Sequence, residues 1–364
     1  MPIFVAGQPR LATTVEAKSQ GTDAIVSIQW LRAIAAMAVV AFHLDIAPWG
    51  ASGVDLFFVV SGFIMWMTTD RRPSDPMSFY FNRLLRIAPL YWLYTTLLAV
   101  AVVAAPAAFS RLQFDWLHPL TSYLFIPKVS PTNDLIAPFL VQGWSLNYEI
   151  FFYAIFGVAL LLSPGRRIVT LSAVLLGLIM LGAVFTPTGA VGRTYTDPLM
   201  AEFLAGVWIA WLWRRGRLQL NARHALFAVI AACACLVISI PFADTIKGFM
   251  RLAVWGLPAA LIVIAALSLE RRFQLLPTWG KLLGDASYSI YLSHTFVLSV
   301  LAKVWSVAIG PPQASWMFVL VAMITTALVG TTSYLLIEMS ITRWARRPRP
   351  LHWGVAYPSN RVAT

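Results

Sequence analysis

The stretch SIQWLRAIAAMAVVAFHLD, residues 27–45, decides how this chain is read. It has the length and apolar character of a bilayer-crossing helix, which takes roughly 20 residues, yet it carries an arginine and a histidine. Ionisable side chains inside a span are expensive and mark functional sites. Arg32 and His43 are eleven positions apart, so on a helix their side chains diverge by only about 20° and lie about 16 Å apart along the axis. One face of one helix therefore presents a cation at one depth and a titratable imidazole at another. Such a face suits a site that holds an anionic group near one membrane surface and moves protons deeper in.

The rest of the chain fits this reading. Of 364 residues, 59% are hydrophobic and 12% charged, against about 25% charged in soluble domains, which makes this an integral membrane protein. The net charge of +12 is spread in short clusters between apolar runs, which excludes a basic nucleic-acid-binding domain. Cys233 and Cys235 sit two apart in an apolar run and read as packing residues, with no disulfide and no metal site expected. Residues 1–24 contain Arg10, Glu16, Lys18 and Asp23 without a sustained apolar core, so no cleavable signal peptide is expected there.

The chain is read as an all-α membrane bundle of about ten spans, near 25–45, 51–69, 84–106, 143–163, 168–186, 196–213, 224–241, 249–268, 285–308 and 315–337. With the N-terminus cytoplasmic, every lysine and arginine except Arg111, Lys128, Arg193, Lys247, Arg251 and Lys303 falls on the cytoplasmic side. This asymmetry predicts that both termini are cytoplasmic: a tail over 1–24, a membrane domain over 25–342 and a basic tail over 343–364. It also explains most arginines as topology signals. One outer connection, 107–142, is too long for a simple turn and reads as a lid or binding loop.

Several polar groups interrupt the spans. His43, with an ordinary pKa near 6.5, suits general-base chemistry, and Asp45 could orient it only through a bend at the helix end. Arg83 and Arg86 in FNRLLRIAPLYW share a helix face and can grip phosphates. Asp55 in GVDLFFVVSGF is an acid inside the second span that needs a partner. An arginine or histidine of the first helix is the expected one. Gly53, Ser61 and Gly62 beside it permit close helix approach. Glu149 in WSLNYEIFFY is expected near the depth of His43, with Trp144, Ser145 and Tyr153 offering stacking and hydrogen bonds to a sugar. GDASYSIYLSH makes a polar half-helix of Ser287, Tyr288, Tyr291 and His294 that should face a cavity. Glu338 closes the last span and is read as an anchoring ion-pair partner. His118, His224 and His352 are assigned no role.

In this order, the Arg32 to His43 spacing with GVDLFFVVSGF, the basic pair before Pro89, WSLNYEIFFY, GDASYSIYLSH and Glu338 resemble the membrane acyltransferase 3 family, over about residues 27–342. Each motif alone is weak; five in order are specific. The wording of IQWLRAIAAMAVVAFH, FIMWMTT, PLYWLYTT and WSLNYEIFFY is most similar to the exopolysaccharide production (ExoZ-type) acetyltransferase branch.

The resemblance implies a bacterial inner-membrane O-acetyltransferase, with cytoplasmic acetyl-CoA as acyl donor and an extracytoplasmic or lipid-linked polysaccharide as acceptor. It implies that Arg32 and His43 are the paired residues of the first span and that Arg83 and Arg86 meet the CoA phosphates, and Arg32 is expected to bind and orient the donor or the oxyanion. In that frame His43 is the base, Glu149 or Asp55 tunes it, and Trp144, Ser145, Tyr153, Tyr288, Tyr291 and His294 bind the glycan. No metal and no nucleic acid are expected. The sequence departs from the family at Glu338–Met339–Ser340, where a basic residue and a proline often follow the glutamate. Two other readings share the residues: a carrier for a lipid-linked saccharide, and the same fold with a different donor or an oligosaccharide acceptor. Succinyl transfer would need a further cation near the thioester, and the sequence shows no obvious surplus arginine in the outer half of the spans.

Overall fold

A computed structural model describes residues 25–70, 75–109, 115–312 and 315–345. The N-terminal tail, and the C-terminal tail from 346 onward, lie outside the described residues. Among the described residues the secondary structure is helical, apart from an isolated antiparallel bridge between Val129 and Ile136.

The first helix, α1 (Val26–His43), has no cap of its own. Its N-terminal N–H groups, orphaned in any helix, are met from far away in sequence: Val26 and Ser27 donate to the two carboxylate oxygens of Glu270 at 2.8 and 2.9 Å. It ends where Asp45 takes a left-handed backbone, φ 59°, and Ile46 donates back to the Ala41 carbonyl. A turn of 3₁₀ helix leads into α2 (Gly53–Asp70), followed by α3 (Pro76–Ala104), which Asp75 caps by accepting from the Ser78 N–H. The long connection carries a short helix, α4 (Leu117–Tyr123).

Beyond it come α5 (Trp144–Ala159), α6 (Pro164–Phe185), α7 (Ala190–Tyr195), α8 (Met200–Arg214) and α9 (Ala222–Ile238). The next segment joins α10 (Gly248–Arg251) to α11 (Leu257–Ser268) through a π-helical stretch, Leu252–Gly256. Pro258 lacks the N–H that would bond the Val254 carbonyl, and the Cys235 thiol donates to that carbonyl instead at 3.5 Å. Two short helices, α12 (Glu270–Phe273) and α13 (Thr278–Asp285), precede α14 (Ser287–Ala308), α15 (Trp316–Ser333) and α16 (Met339–Ala345).

Seven of these segments are long and apolar enough to cross a membrane. The sequence candidates near 143–163, 196–213 and 224–241 form α5, α8 and α9, of 16, 15 and 17 residues. These are shorter than a full span because 3₁₀ turns and loops take up their ends. Val184, Val307 and Leu328 are among many large apolar side chains left exposed, as a lipid-facing surface requires.

Close approaches set the interior. A Cβ on Gly62 would overlap the Phe203 carbonyl, and one on Gly206 the Val59 carbonyl, so α2 and α8 cross backbone to backbone. Gly53 meets the Ala35 carbonyl of α1 in the same way. Around this crossing Phe203 stacks on Phe58 and Phe152, ring centres 4.5 and 4.7 Å apart. A second apolar cluster packs Ala36 and Val40 of α1 against Ile290 and Leu298 of α14. That contact continues the helical stripe 36, 40, 43 of α1 and brings His43 to α14.

Candidate active site

The polar residues of the spans gather in two cavities at different depths along α1. The smaller, about 80 Å³, is lined by Arg32, Arg86, Glu149, Ser145, Tyr153 and Tyr288, among others. Arg32 is buried, 7% exposed, and donates to the Gln29 side chain at 3.2 Å. The charges of Arg86, Glu338, Asp285 and Glu149 surround it. Glu149 accepts hydrogen bonds from Ser61, at 2.9 Å, and from Tyr153. It therefore belongs with the arginines rather than at the depth of His43, a correction to the sequence reading. The reason is geometric: Glu149 is a full turn beyond Trp144, and α5 carries it down toward Ser61 of α2.

The basic pair of α3 divides. Arg86 lines this cavity, whereas Arg83 donates to Thr68 at 3.4 Å and lies over the Phe79 ring. Glu338 ends a second π-helical stretch, Tyr334–Glu338, and accepts from Ser289 of α14 at 2.6 Å. No ion pair within contact distance holds it among the described residues, so a serine takes the anchoring role expected of a cation.

The larger cavity, about 650 Å³, opens at the other end of α1 and is lined by His43, His294, Trp144, Gln142, Thr295 and Arg251, among others. His43 is exposed to it. The bend at Asp45 exists, but no hydrogen bond joins Asp45 to His43 among the described residues. Val54 and Tyr291 line both cavities, so the Tyr291 ring forms part of the wall between them. Its hydroxyl is 3.0 Å from the Ser145 hydroxyl and donates to the Gln142 carbonyl at 3.0 Å. Tyr288 likewise donates to the Ile87 carbonyl at 2.7 Å. These hydroxyls brace the wall; the sugar contacts expected of Tyr288 and Tyr291 would have to be made by their rings.

Asp55 does not meet Arg32 or His43, as the sequence reading expected. It is fully buried and grips Arg251, which donates to its two oxygens at 3.0 and 2.8 Å. The Arg251 guanidinium also lies 5.4 Å from the Trp144 ring centre and 5.1 Å from that of Trp255. Glu202 of α8, 1% exposed, lies against Asp55 and joins it and Arg251 in one buried polar cluster. Arg251 is thus a cation at the His43 cavity that the sequence reading did not single out. The Asp55 carboxylate that it grips offsets its charge. Its place in a topology count concealed it, and nothing in the spacing of 55, 202 and 251 signals their meeting.

The described part of the long connection lines the larger cavity through Phe139, Leu140 and Val141. His118 is part of its frame: buried, with Nε2 2.9 Å from the Ala137 carbonyl. Burial pushes its imidazole below the ordinary value. The Ser122 hydroxyl accepts from the Phe139 N–H at 2.7 Å, and Lys128 pairs with Asp115 and lowers its carboxyl.

Residues 25–335 match the family described as an acyltransferase domain. The chain is 40% identical over 307 residues to the exopolysaccharide production protein ExoZ of Rhizobium meliloti, covering 82% of this chain and 92% of that protein. It is 25% identical over 360 residues to the peptidoglycan O-acetyltransferase OatA of Listeria monocytogenes, covering 88% of this chain and 56% of that protein. To the O-acetyltransferase OatA of Staphylococcus aureus it is 24% identical over 347 residues, again spanning 56% of the relative. The chain thus spans nearly all of the first and about half the length of the other two. No solved structure matches it.

Proposed function

Because the chain belongs to the acyltransferase domain family and is an acyltransferase of the membrane, we propose that it moves an acetyl group from cytoplasmic acetyl-CoA to a hydroxyl of a polysaccharide or lipid-linked glycan. The observation that carries this reading is the pair of cavities along α1, one holding Arg32 and Arg86 and the other His43, with Tyr291 and Val54 shared between their walls. Phosphates of the donor stay with the guanidiniums, which bind them through charge-assisted bonds. The pantetheine arm spans the ~16 Å from Arg32 to His43 estimated from helix rise and carries the thioester toward the imidazole. CoA then never crosses the membrane.

In this scheme His43 takes the proton of the acceptor hydroxyl as its oxygen attacks the thioester carbon. The C–S bond breaks, and the departing thiolate takes a proton from the histidine, so the transfer is proton-neutral. The His43 cavity, with the Trp144 ring in its wall and room for sugar units, takes the acceptor. The ExoZ and OatA names point to a glycan as that acceptor. The topology is a bundle of about ten spans in a bacterial inner membrane, both termini cytoplasmic, as the charge asymmetry supports.

The test is transfer of radiolabelled acetyl from acetyl-CoA to the host's surface polysaccharide by purified protein in proteoliposomes. Wild type is expected to transfer, and His43→Ala and Arg32→Ala to fail. Full transfer by His43→Ala would overturn the mechanism.

A further inference from the structure

His294 is the residue of the larger cavity whose chemistry is least accounted for. It is completely buried, and its two ring nitrogens have different surroundings. Nδ1 lies 2.6 Å from the Tyr291 carbonyl. A carbonyl oxygen only accepts, so Nδ1 carries the hydrogen, and the neutral ring leaves Nε2 with a bare lone pair. That Nε2 has no hydrogen-bond partner. A buried acceptor without a donor is costly and calls for a function. The ring next to it is His43, with ring centres 4.9 Å apart and planes inclined at 35°. His294 has no exposed surface, whereas His43 is exposed to the cavity.

We propose that His294 is a positioning residue for His43, its Nε2 accepting the hydrogen of one His43 ring nitrogen and so leaving the other nitrogen bare toward the acceptor hydroxyl. The assignment rests on the reading of His43 as the base. No bond to His294 forms or breaks. When His43 takes the hydroxyl proton, the N–H facing His294 becomes part of an imidazolium and its hydrogen bond strengthens, as bonds from charged donors do. The proton then leaves with the thiolate and the pair returns to its starting state. The other titratable groups facing His43 are Asp45 at the end of its own helix, Arg251 across the cavity and Tyr291 on α14. Arg251 is engaged by Asp55 and the Tyr291 hydroxyl by Ser145 and Gln142, so neither supplies the missing acceptor.

The experiment compares His294→Leu, His294→Gln and His43→Ala as purified full-length proteins, measuring kcat, KM for acetyl-CoA and the pH profile of transfer. For His294→Leu the expected result is a fall in kcat of about 10- to 100-fold, within the range of acid–base contributions. KM for acetyl-CoA should be unchanged, and the acidic limb of the profile should move to lower pH because the imidazolium has lost its acceptor. His294→Gln offers an amide oxygen in place of Nε2 and is expected to recover much of the loss and of the limb. Equal losses for Leu and Gln, or a wild-type acidic limb in both, would overturn the role of His294 while leaving a dead His43→Ala to support the base. Full activity of His43→Ala would remove the base reading itself. If the leucine variant does not fold, His294→Ala takes its place and the same comparison decides: a lowered rate and a shifted limb that glutamine recovers support the pair, and equal losses or a wild-type limb in both overturn it.

Discussion

Arg251 reaches across 196 positions of sequence to hold both oxygens of Asp55, and the buried Glu202 lies against Asp55 in the same cluster. The cluster ties α2, α8 and the α10–α11 segment together beside the His43 cavity. Removing one partner of a buried pair costs about 3–5 kcal/mol because the other charge is left behind. Here the two removals differ. Arg251→Ala strands the buried Asp55 carboxylate and is expected to cost the full amount, whereas Asp55→Ala leaves Glu202 beside Arg251 as a replacement partner and should cost roughly half of it. Thermal unfolding in detergent, followed by tryptophan fluorescence, checks the order.

The crossing of α2 and α8 gives a packing prediction. Gly62→Val places side-chain atoms where the Phe203 backbone now lies. Neither backbone can yield without moving its helix, so a loss of at least about 1–3 kcal/mol is expected, the range for overpacked cores. Gly177, where a Cβ meets nothing, is the control: Gly177→Ala should leave the same unfolding curve unchanged or slightly raised, since alanine favours helix.

Arg83 and Arg86 look equivalent in sequence and are not in space. Arg86→Ala should raise KM for acetyl-CoA about tenfold, the worth of one charge-assisted bond. Arg83→Ala should change it far less, since Arg83 points to Thr68 and Phe79 rather than into the cavity. Steady-state kinetics on the two variants separates them; equal effects would mean that the phosphates lie outside the cavity.

Tyr291 predicts a coupling phenotype. Tyr291→Phe keeps the ring in the wall and loses the bonds to Ser145 and Gln142, so transfer should fall modestly. Tyr291→Ala widens the passage between the two cavities and admits water to the thioester, which closed sites exclude. CoA release without acceptor, read as free thiol, should rise several-fold in Tyr291→Ala and stay at the wild-type level in Tyr291→Phe.

His118 makes the long connection sensitive to acid. Its folded-state pKa lies below the ordinary value of about 6.5, so in this range the unfolded loop binds more protons than the folded one and stability rises with pH. The contribution is complete above about pH 6.5 and is lost as pH falls toward the folded-state value. Hydrogen exchange in residues 117–140 should therefore accelerate, beyond the intrinsic chemical rate, between pH 7.5 and pH 5. The acceleration should be absent in His118→Gln.

The sequence by itself determined the membrane class, the places of the long helices and the shared face of Arg32 and His43, because hydropathy and helical period are properties of neighbouring residues. It also marked the polar half-helix from Ser287 to His294 as cavity-facing, since such a run is too costly against lipid. The same reasoning gave about ten spans; among the described residues seven helices have the full length, and α5, α8 and α9 are shorter because apolar composition does not reveal where 3₁₀ turns and loops end a helix. Tertiary structure alone decided that Asp55 pairs with Arg251, that Glu149 sits with the arginines, that Arg86 and Arg83 part company and that the rings of His43 and His294 meet. Each of these depends on how helices far apart in the chain are rotated against one another. That rotation is set by glycine contacts such as Gly62 on Phe203 and by the packing of Ala36 and Val40 on Ile290, information that no spacing within a single helix contains.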